Sequence, residues 1–348
     1  MRPWTIAALA AITAASASCT SQSADRKPAA DGGTPAQQEL SKADLSQFAP
    51  LPPRVIAAAN TPAAAQVSLG RSLYYETTLS SNHDVSCNSC HPLNAYGADG
   101  RPVSFGDRGQ LGGRNSPTVY NASGQIAQFW DGRAPTVEEQ AKGPVLNPAE
   151  MGMPNPGEVI AHLRAAQEYR AAFRAAYPSE ADPITYDNVG RAIGAFERGL
   201  VTPARWDGYL QGDASKLTAD ENRGAKTFVT VGCAGCHNGA YVGGGLYQKA
   251  GLVSAWPSQA DSGRFKVTGN SADLFVFKVP SLRNVTMTAP YFHDGSVASL
   301  DQAIRMMGRH QLGKELTDAQ VRGIQLWLGS LRGELPVAYI ALPQLPAM

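Results

Sequence analysis

Two short stretches carry residue types that can hold a redox cofactor. Cys87-Asn88-Ser89-Cys90-His91 and Cys233-Ala234-Gly235-Cys236-His237 both read C-x-x-C-H, the attachment signature of c-type haem. In that chemistry two thiols add across porphyrin vinyl groups, and the adjoining imidazole becomes an axial iron ligand. The competing reading is a pair of tight turns in which the same Cys and His bind zinc or simply pack. Each zinc would then need a fourth ligand, which the sequence does not obviously supply. Two copies in one chain favour two covalent haems. A third chemistry-bearing stretch is Arg305-Met306-Met307-Gly308. A thioether is the usual second ligand of an electron-carrying c haem, and His/Met ligation raises its potential. Met307 is the expected ligand, Met306 the neighbour it could be confused with, and soft core filling the alternative for both.

The elements around these residues occur twice. A helix expected over Pro62 to Tyr75, with Val67, Leu69, Leu73 and Tyr74 inward, precedes the first motif. A helix opened by the capping box Thr218-x-x-Glu221, with Gly224, Ala225 and Phe228 following, precedes the second. Beyond the motifs, Asn115-Ser116-Pro117-Thr118-Val119-Tyr120-Asn121 echoes Val279-Pro280-Ser281-Leu282-Arg283-Asn284. Phe129-Trp130-Asp131-Gly132 echoes Phe292-His293-Asp294-Gly295, and Val137 to Ala141 echoes Leu300 to Ala303. This is long-period duplication. It predicts a mainly α fold of two cytochrome c-like haem domains with long ordered loops. Helices are also expected over Glu158 to Tyr177 and Tyr186 to Leu200, with a boundary near Val201-Thr202-Pro203, where proline stops the helix. The domain reading is 1–18 export signal, 19–44 flexible tether, 45–200 N-terminal haem domain and 201–348 C-terminal haem domain.

The two halves differ where function should reside. The second offers Met307, whereas the first reaches its comparable region through a longer segment, Lys142 to Met153, ending in Glu150-Met151-Gly152-Met153. If neither methionine binds iron, the first haem keeps an open face beside a carboxylate. Splitting a bound O–O bond needs a group that takes a proton from one oxygen and gives it to the other, and a buried carboxylate can do both. The bland reading makes Glu150 an ordinary loop carboxylate.

Composition bounds the remainder. The 348 residues, 43% of them hydrophobic, suffice for two domains, and a net charge of +1 offers no basic field for nucleic acid. The 35 glycines and 24 prolines suit ordered loops around a rigid cofactor. Arg2, the apolar run Ile6 to Ala15 and Ser16-Ala17-Ser18 form an export segment too short to span a bilayer permanently. Cleavage after Ala15-Ser16-Ala17 is one fate. The other is a lipoprotein anchored at Cys19, the one cysteine outside the haem motifs, which is favoured although Ser16 stands where leucine is more usual. Either fate places the mature protein in the periplasm.

Over roughly residues 65–335 the chain resembles the bacterial dihaem cytochrome c peroxidases. The matching stretches are Cys87 to His91, Asn115 to Asn121, Ala127 to Arg133, Gly143-Pro144, Cys233 to Asn238, Pro280 to Asn284, Thr288 to His293 and Met307-Gly308. The resemblance implies reduction of hydrogen peroxide to water with electrons from a small redox protein, a cytochrome c or a small copper protein. Electrons would enter at the C-terminal His/Met haem and pass to the open N-terminal one. It also implies that Glu150 is the acid–base carboxylate, Gln140 its polar partner and Trp130 the tryptophan between the haems, with a plain core tryptophan as the alternative. Phe129 and Pro144 would shape the peroxide pocket, and His293 would be structural. Asn115, Thr288 and Pro290 match an inter-domain calcium site, chemically sensible for amide and carbonyl oxygens. A homodimer is common in the family. One departure stands out. Where many relatives carry a histidine that caps the peroxidatic iron, this chain has Asp107, read here as a surface partner of Arg108. The first haem is therefore expected to rest open. His83, His162 and His310 read as surface or haem-edge residues. Two alternatives remain: a tryptophan-modifying dihaem enzyme, whose class carries tyrosine at the Met307 position, and a dihaem electron carrier with Met151 or Met153 closing the first iron.

Overall fold

The computed structural model describes residues 39–52 and 62–345. The export segment, Cys19 and most of the tether lie outside the described residues. The fold is mainly helical: α1 (Ala64–Tyr75), α2 (Val137–Leu146), α3 (Pro156–Ala165), α4 (Gln167–Ala176), α5 (Tyr186–Glu197), α6 (Ala219–Val231), α7 (Leu300–Leu312) and α8 (Asp318–Ser330). Short helical turns such as Lys42–Leu45, Cys87–Cys90 and Arg205–Leu210 fill the loops. Among the described residues, strand is limited to the antiparallel pair β1 (Tyr247–Lys249) and β2 (Val276–Lys278), with Tyr247 opposite Lys278.

Local chemistry sets the helix ends. The Thr218–Glu221 capping box opens α6, and Gly232 closes it in the left-handed region at φ 109°. The helix expected from Pro62 begins at Ala64, where the Gln66 side chain accepts the Ala63 N–H at 3.1 Å. The single helix expected over Glu158 to Tyr177 is two. Ala166 takes extended backbone, and the Arg170 guanidinium donates to the Arg164 and Ala165 carbonyls at 2.5 and 3.0 Å, satisfying groups that the break would orphan.

The duplication is visible in the packing. α1 lies against α5 in the first half, and α6 against α8 in the second. Each crossing is closest at a glycine: a methyl on Gly70 would strike the Ala192 carbonyl, and one on Gly224 the Gly323 carbonyl. Backbone conformation repeats as well. Asn121 and Asn284 have φ 60° and 61°, and Phe129 and Phe292 have φ 65° and 70°. Both asparagines donate to the buried Thr202 hydroxyl at 2.9 Å, so the junction between halves is also where the repeats meet.

Two large hydrophobic cores stand out among the described residues. The first gathers Leu73, Tyr74, Tyr120, Phe173 and Phe196; the second gathers Trp206, Phe228, Trp327 and Leu328. The termini cross over. Residues 40–48, read from sequence as the end of the tether and the start of the first haem domain, pack on the second core. Phe48 meets Trp206 and Trp327 edge-on at 5.4 and 6.0 Å, Lys226 reaches Asp44 at 2.7 Å, and the Gly239 N–H donates to the Gln47 carbonyl at 2.8 Å. Burying one such phenyl ring is worth roughly 1.5–3 kcal/mol, which explains why the packed chain includes residues before Leu45. In return the C-terminal segment covers the first core. Tyr339 stacks on Phe196 at 5.1 Å, and the Tyr75 hydroxyl donates to the Ile340 carbonyl at 2.5 Å.

Candidate active site

The first motif forms one short helical turn, Cys87–Cys90, with His91 capping it. Burial lowers the pKa of His91, which keeps its imidazole neutral. Its Nδ1 lies 3.2 Å from the Gly97 carbonyl, so Nδ1 carries the proton and Nε2 keeps its lone pair for a metal. In the second motif burial brings His237 down to about 4. The Pro280 carbonyl faces its Nδ1, just outside strict hydrogen-bond geometry. Burial also pushes the Cys87 and Cys233 thiols up to about 12 and raises Cys90. All four thiols are half-buried and in no disulfide, so each is free to add to a porphyrin vinyl group. The donor set therefore fits c-type haem at both motifs.

A cavity of about 260 Å³ adjoins the second motif. Cys233, Cys236, His237 and Met307 line it, with Phe228, Leu282, Ile304 and Leu328 among its apolar walls. Met306, one residue away on α7, does not. The same cavity is closed on another side by first-half residues, including Asn115, Gln128, Phe129 and Trp130.

Around the first motif, Glu150 lies half-buried in the turn after α2. Burial raises its pKa, while the Arg133 guanidinium and a 2.8 Å hydrogen bond from Asn147 Nδ2 pull it back. Its charge is felt at both Cys87 and Cys90. Gln140 is half-buried on α2. The Phe129 ring rests against Gly143 and under the Arg133 guanidinium, 3.3 Å from its centroid. Pro144 turns the chain toward Glu150 by accepting the Asn147 and Met151 N–H groups at 3.2 and 3.1 Å. Met151 and Met153 are both packed in the first core.

Asp107 is not the surface residue expected from its neighbour. It is 3% exposed, its N–H donates to the Glu150 carbonyl at 2.6 Å, and its Oδ1 has no hydrogen-bond partner. Arg108 approaches at 3.5 Å but is itself exposed. The reason is steric. Gly106 packs so closely on Ala149 and Glu150 that the 104–112 loop is pressed onto the Glu150 turn, burying the next side chain.

The chain aligns with the cytochrome c551 peroxidase of Pseudomonas aeruginosa at 45% identity, over 85% of this chain and 87% of that one. The chain belongs to the bacterial dihaem cytochrome c peroxidase family. The family model described as di-haem cytochrome c peroxidase matches residues 64–215. The cytochrome c551 peroxidase of Nitrosomonas europaea is 43% identical over 81% of this chain and 84% of its own. Among solved structures, a MauG-like protein associated with microbial copper homeostasis is similar at a TM-score of 0.75 and 30% identity, covering 84% of this chain and 97% of that one. The chain is accordingly a dihaem peroxidase, an oxidoreductase acting on hydrogen peroxide.

In this dihaem cytochrome c peroxidase the Trp130 segment is fastened to both halves. Trp130 Nε1 donates to the Asn115 carbonyl at 3.0 Å, its own carbonyl accepts the Lys278 N–H at 2.8 Å, and its ring meets His293 edge-on at 6.3 Å. His293, buried, stacks on Phe277 at 4.2 Å. Asn115, Thr288 and Pro290 all border the same cavity. Asn115 spends its amide N–H on the Arg101 carbonyl at 2.9 Å, leaving Oδ1 as an oxygen donor, the type calcium takes. His83 is exposed and packs edge-on against His162, whose Nδ1 faces the Thr78 carbonyl at 3.2 Å. His310 faces the Ser254 carbonyl. Sequence reasoning missed the clamp in which Arg114 bonds Asp131 at 2.6 Å and Asp261 at 2.6 and 2.9 Å, joining the Trp130 loop to the second half. It also missed two buried ionisable residues, Lys278 and Glu197. A lysine closing a strand pattern and a glutamate closing a helix both read as ordinary surface residues.

Proposed function

We propose that the two haem sites divide the labour of peroxide reduction. His237 and Met307 hold the haem that receives electrons, and His91 holds the haem whose other face admits peroxide. The observation that carries this division is the second cavity, where Met307 joins His237 and the two cysteines. When bound, haem would supply a one-electron carrier at the second site and a peroxide-reducing iron at the first. Trp130, fastened to Asn115 and Lys278, supplies the aromatic path between the halves. Glu150 takes the proton from one peroxide oxygen and returns it to the departing one, with Gln140 as its polar neighbour. Its burial supports that role, because a carboxyl raised above its ordinary range holds a proton more readily and can return it. The electron donor is a small soluble redox protein, a cytochrome c or a copper protein. Calcium at Asn115, Thr288 and Pro290 would brace the junction, and the enzyme works in the periplasm, tethered by a lipid at Cys19 and paired as a dimer.

Asp107 bears on the resting state. A carboxylate pressed against the Glu150 turn is a poor candidate to cap the first iron, so this site rests open or water-bound. Two measurements test the reading together. Steady-state turnover of peroxide with reduced cytochrome c is expected, which an electron carrier would not give. An EPR spectrum of the fully oxidised protein is expected to pair one low-spin His/Met signal with one high-spin signal. A low-spin signal from a second protein ligand on the first haem would overturn the open site.

A further inference from the structure

Lys278 ends β2 and is 8% exposed, yet it pairs with no carboxylate among the described residues. Its ammonium donates to the Gln125 side-chain oxygen, its one polar partner among the described residues. Burial pulls its pKa down to about 8. A buried ammonium held by one neutral amide is costly, because desolvation is not offset by an opposite charge. Both Lys278 and Gln125 line the cavity that holds Cys233, Cys236, His237 and Met307. The surroundings are mostly apolar, so the orphaned cation is a prominent unmet polar demand of that wall.

Haem is a hydrocarbon disc with two carboxylates. Its thioether edge would be tied to Cys233 and Cys236, and its propionates lie on the opposite edge. We propose that Lys278, steadied by Gln125, forms an ion pair with a propionate of the second haem. This rests on the reading that the second cavity holds a c-type haem. The pair has a directional consequence. The Lys278 N–H is bonded to the Trp130 carbonyl, so the propionate edge is drawn to the place where the first half closes the cavity. Lys278 would thus orient the cofactor toward the Trp130 segment and neutralise an anion near the iron.

The test uses the full-length protein loaded with both haems. In Lys278→Met the propionate loses its counter-ion, which favours ferric over ferrous iron. At a fixed applied potential the ferric-to-ferrous ratio of the His/Met haem is expected to rise about tenfold, a fall of roughly 59 mV for a one-electron couple. The propionate bending band in the resonance Raman spectrum is expected to shift as well. Lys278→Arg keeps the charge, so the ratio should stay within twofold while the band still moves. Should Lys278→Met not accumulate as folded protein, the band in Lys278→Arg decides alone. Variants that carry two haems with an unmoved band and an unchanged ratio overturn the ion pair. A chain found to lack haem at Cys233 and Cys236 overturns the underlying haem reading instead, and haem content per chain tells the two failures apart.

Discussion

Substituting Glu150 by glutamine tests the proton chemistry with little disturbance to the fold. The Glu150 carboxylate accepts a hydrogen bond from Asn147 Nδ2 at 2.8 Å, and a glutamine oxygen can accept the same bond. Lost is the capacity to take a proton from peroxide. General acid–base groups contribute a factor of about 10² to 10⁴, which corresponds to about 2.7 to 5.4 kcal/mol of barrier. Peroxide kcat/KM for Glu150→Gln should fall within that range, while reduction of the haems by donor alone stays at the parent rate. The pH dependence sharpens the test. Glu150 must be ionised to act as base, so activity is present above its pKa and lost as pH falls through it. Burial raises that pKa and the Arg133 cation lowers it. Arg133→Gln removes the cation, so the acid limb of kcat/KM should move to higher pH, measured by steady-state turnover with reduced cytochrome c. If Glu150→Gln keeps activity within threefold of the parent, or if Arg133→Gln moves the acid limb to lower pH, the assignment of Glu150 as the base is wrong.

Two further outcomes concern stability. Arg283, fully buried, grips Asp207 through both terminal nitrogens at 2.9 and 2.7 Å and donates to the Ala240 carbonyl at 2.6 Å. Arg283→Met strands the Asp207 carboxylate and should cost about 3–5 kcal/mol, read from denaturant unfolding of the haem-loaded protein, with partial recovery when Asp207→Asn is added. Glu197 is 5% exposed, and burial together with Glu138 pushes it up to about 8. Its folded pKa lies above the unfolded value near 4.5, so the folded state holds the extra proton. Stability from this group is therefore complete below about pH 4.5 and drains away as pH rises toward about 8. Glu197→Gln should flatten that decline, giving a higher Tm than the parent at the alkaline end; equal slopes in the two proteins would show that Glu197 is not the group responsible.

The parts of the fold that were legible in the sequence are those governed by neighbours along the chain. The C-x-x-C-H turns, the Thr218–Glu221 cap and the echo of Asn121 in Asn284 are local patterns, and each has its counterpart in the geometry. Met307 is set apart from Met306 in the sequence by the family resemblance at Met307-Gly308, and of the two only Met307 lines the cavity. What was illegible depends on residues far apart in sequence. Nothing near Phe48 announces that it will pack on Trp206 and Trp327, or that Tyr339 will return to Phe196. The break at Ala166 depends on an arginine reaching back from Arg170, a contact with no periodic signature. Asp107 looked like half of a surface pair because its neighbour is arginine, and the tight seat of Gly106 against Glu150 reversed that inference.

The exchanged termini explain how a duplicated chain can keep two unlike sites in fixed relation. Separate cytochrome-like halves joined by one linker would be free to reorient, since the default for domains is relative motion unless their interface is large. Here the segment before the first half fills the second core, and the segment after the second half covers the first. Either half can swing away only by withdrawing Phe48 from its two tryptophans or Tyr339 from Phe196. The Arg114 clamp adds a charged tie from the Trp130 loop to Asp261, and Thr202 joins the two repeats through their matching asparagines. The path proposed through Trp130 would require a constant gap on each side of the indole, and these links would hold that gap without demanding that the two haem pockets be alike. The first half can thereby carry the Glu150 turn while the second presents Met307 to its cavity.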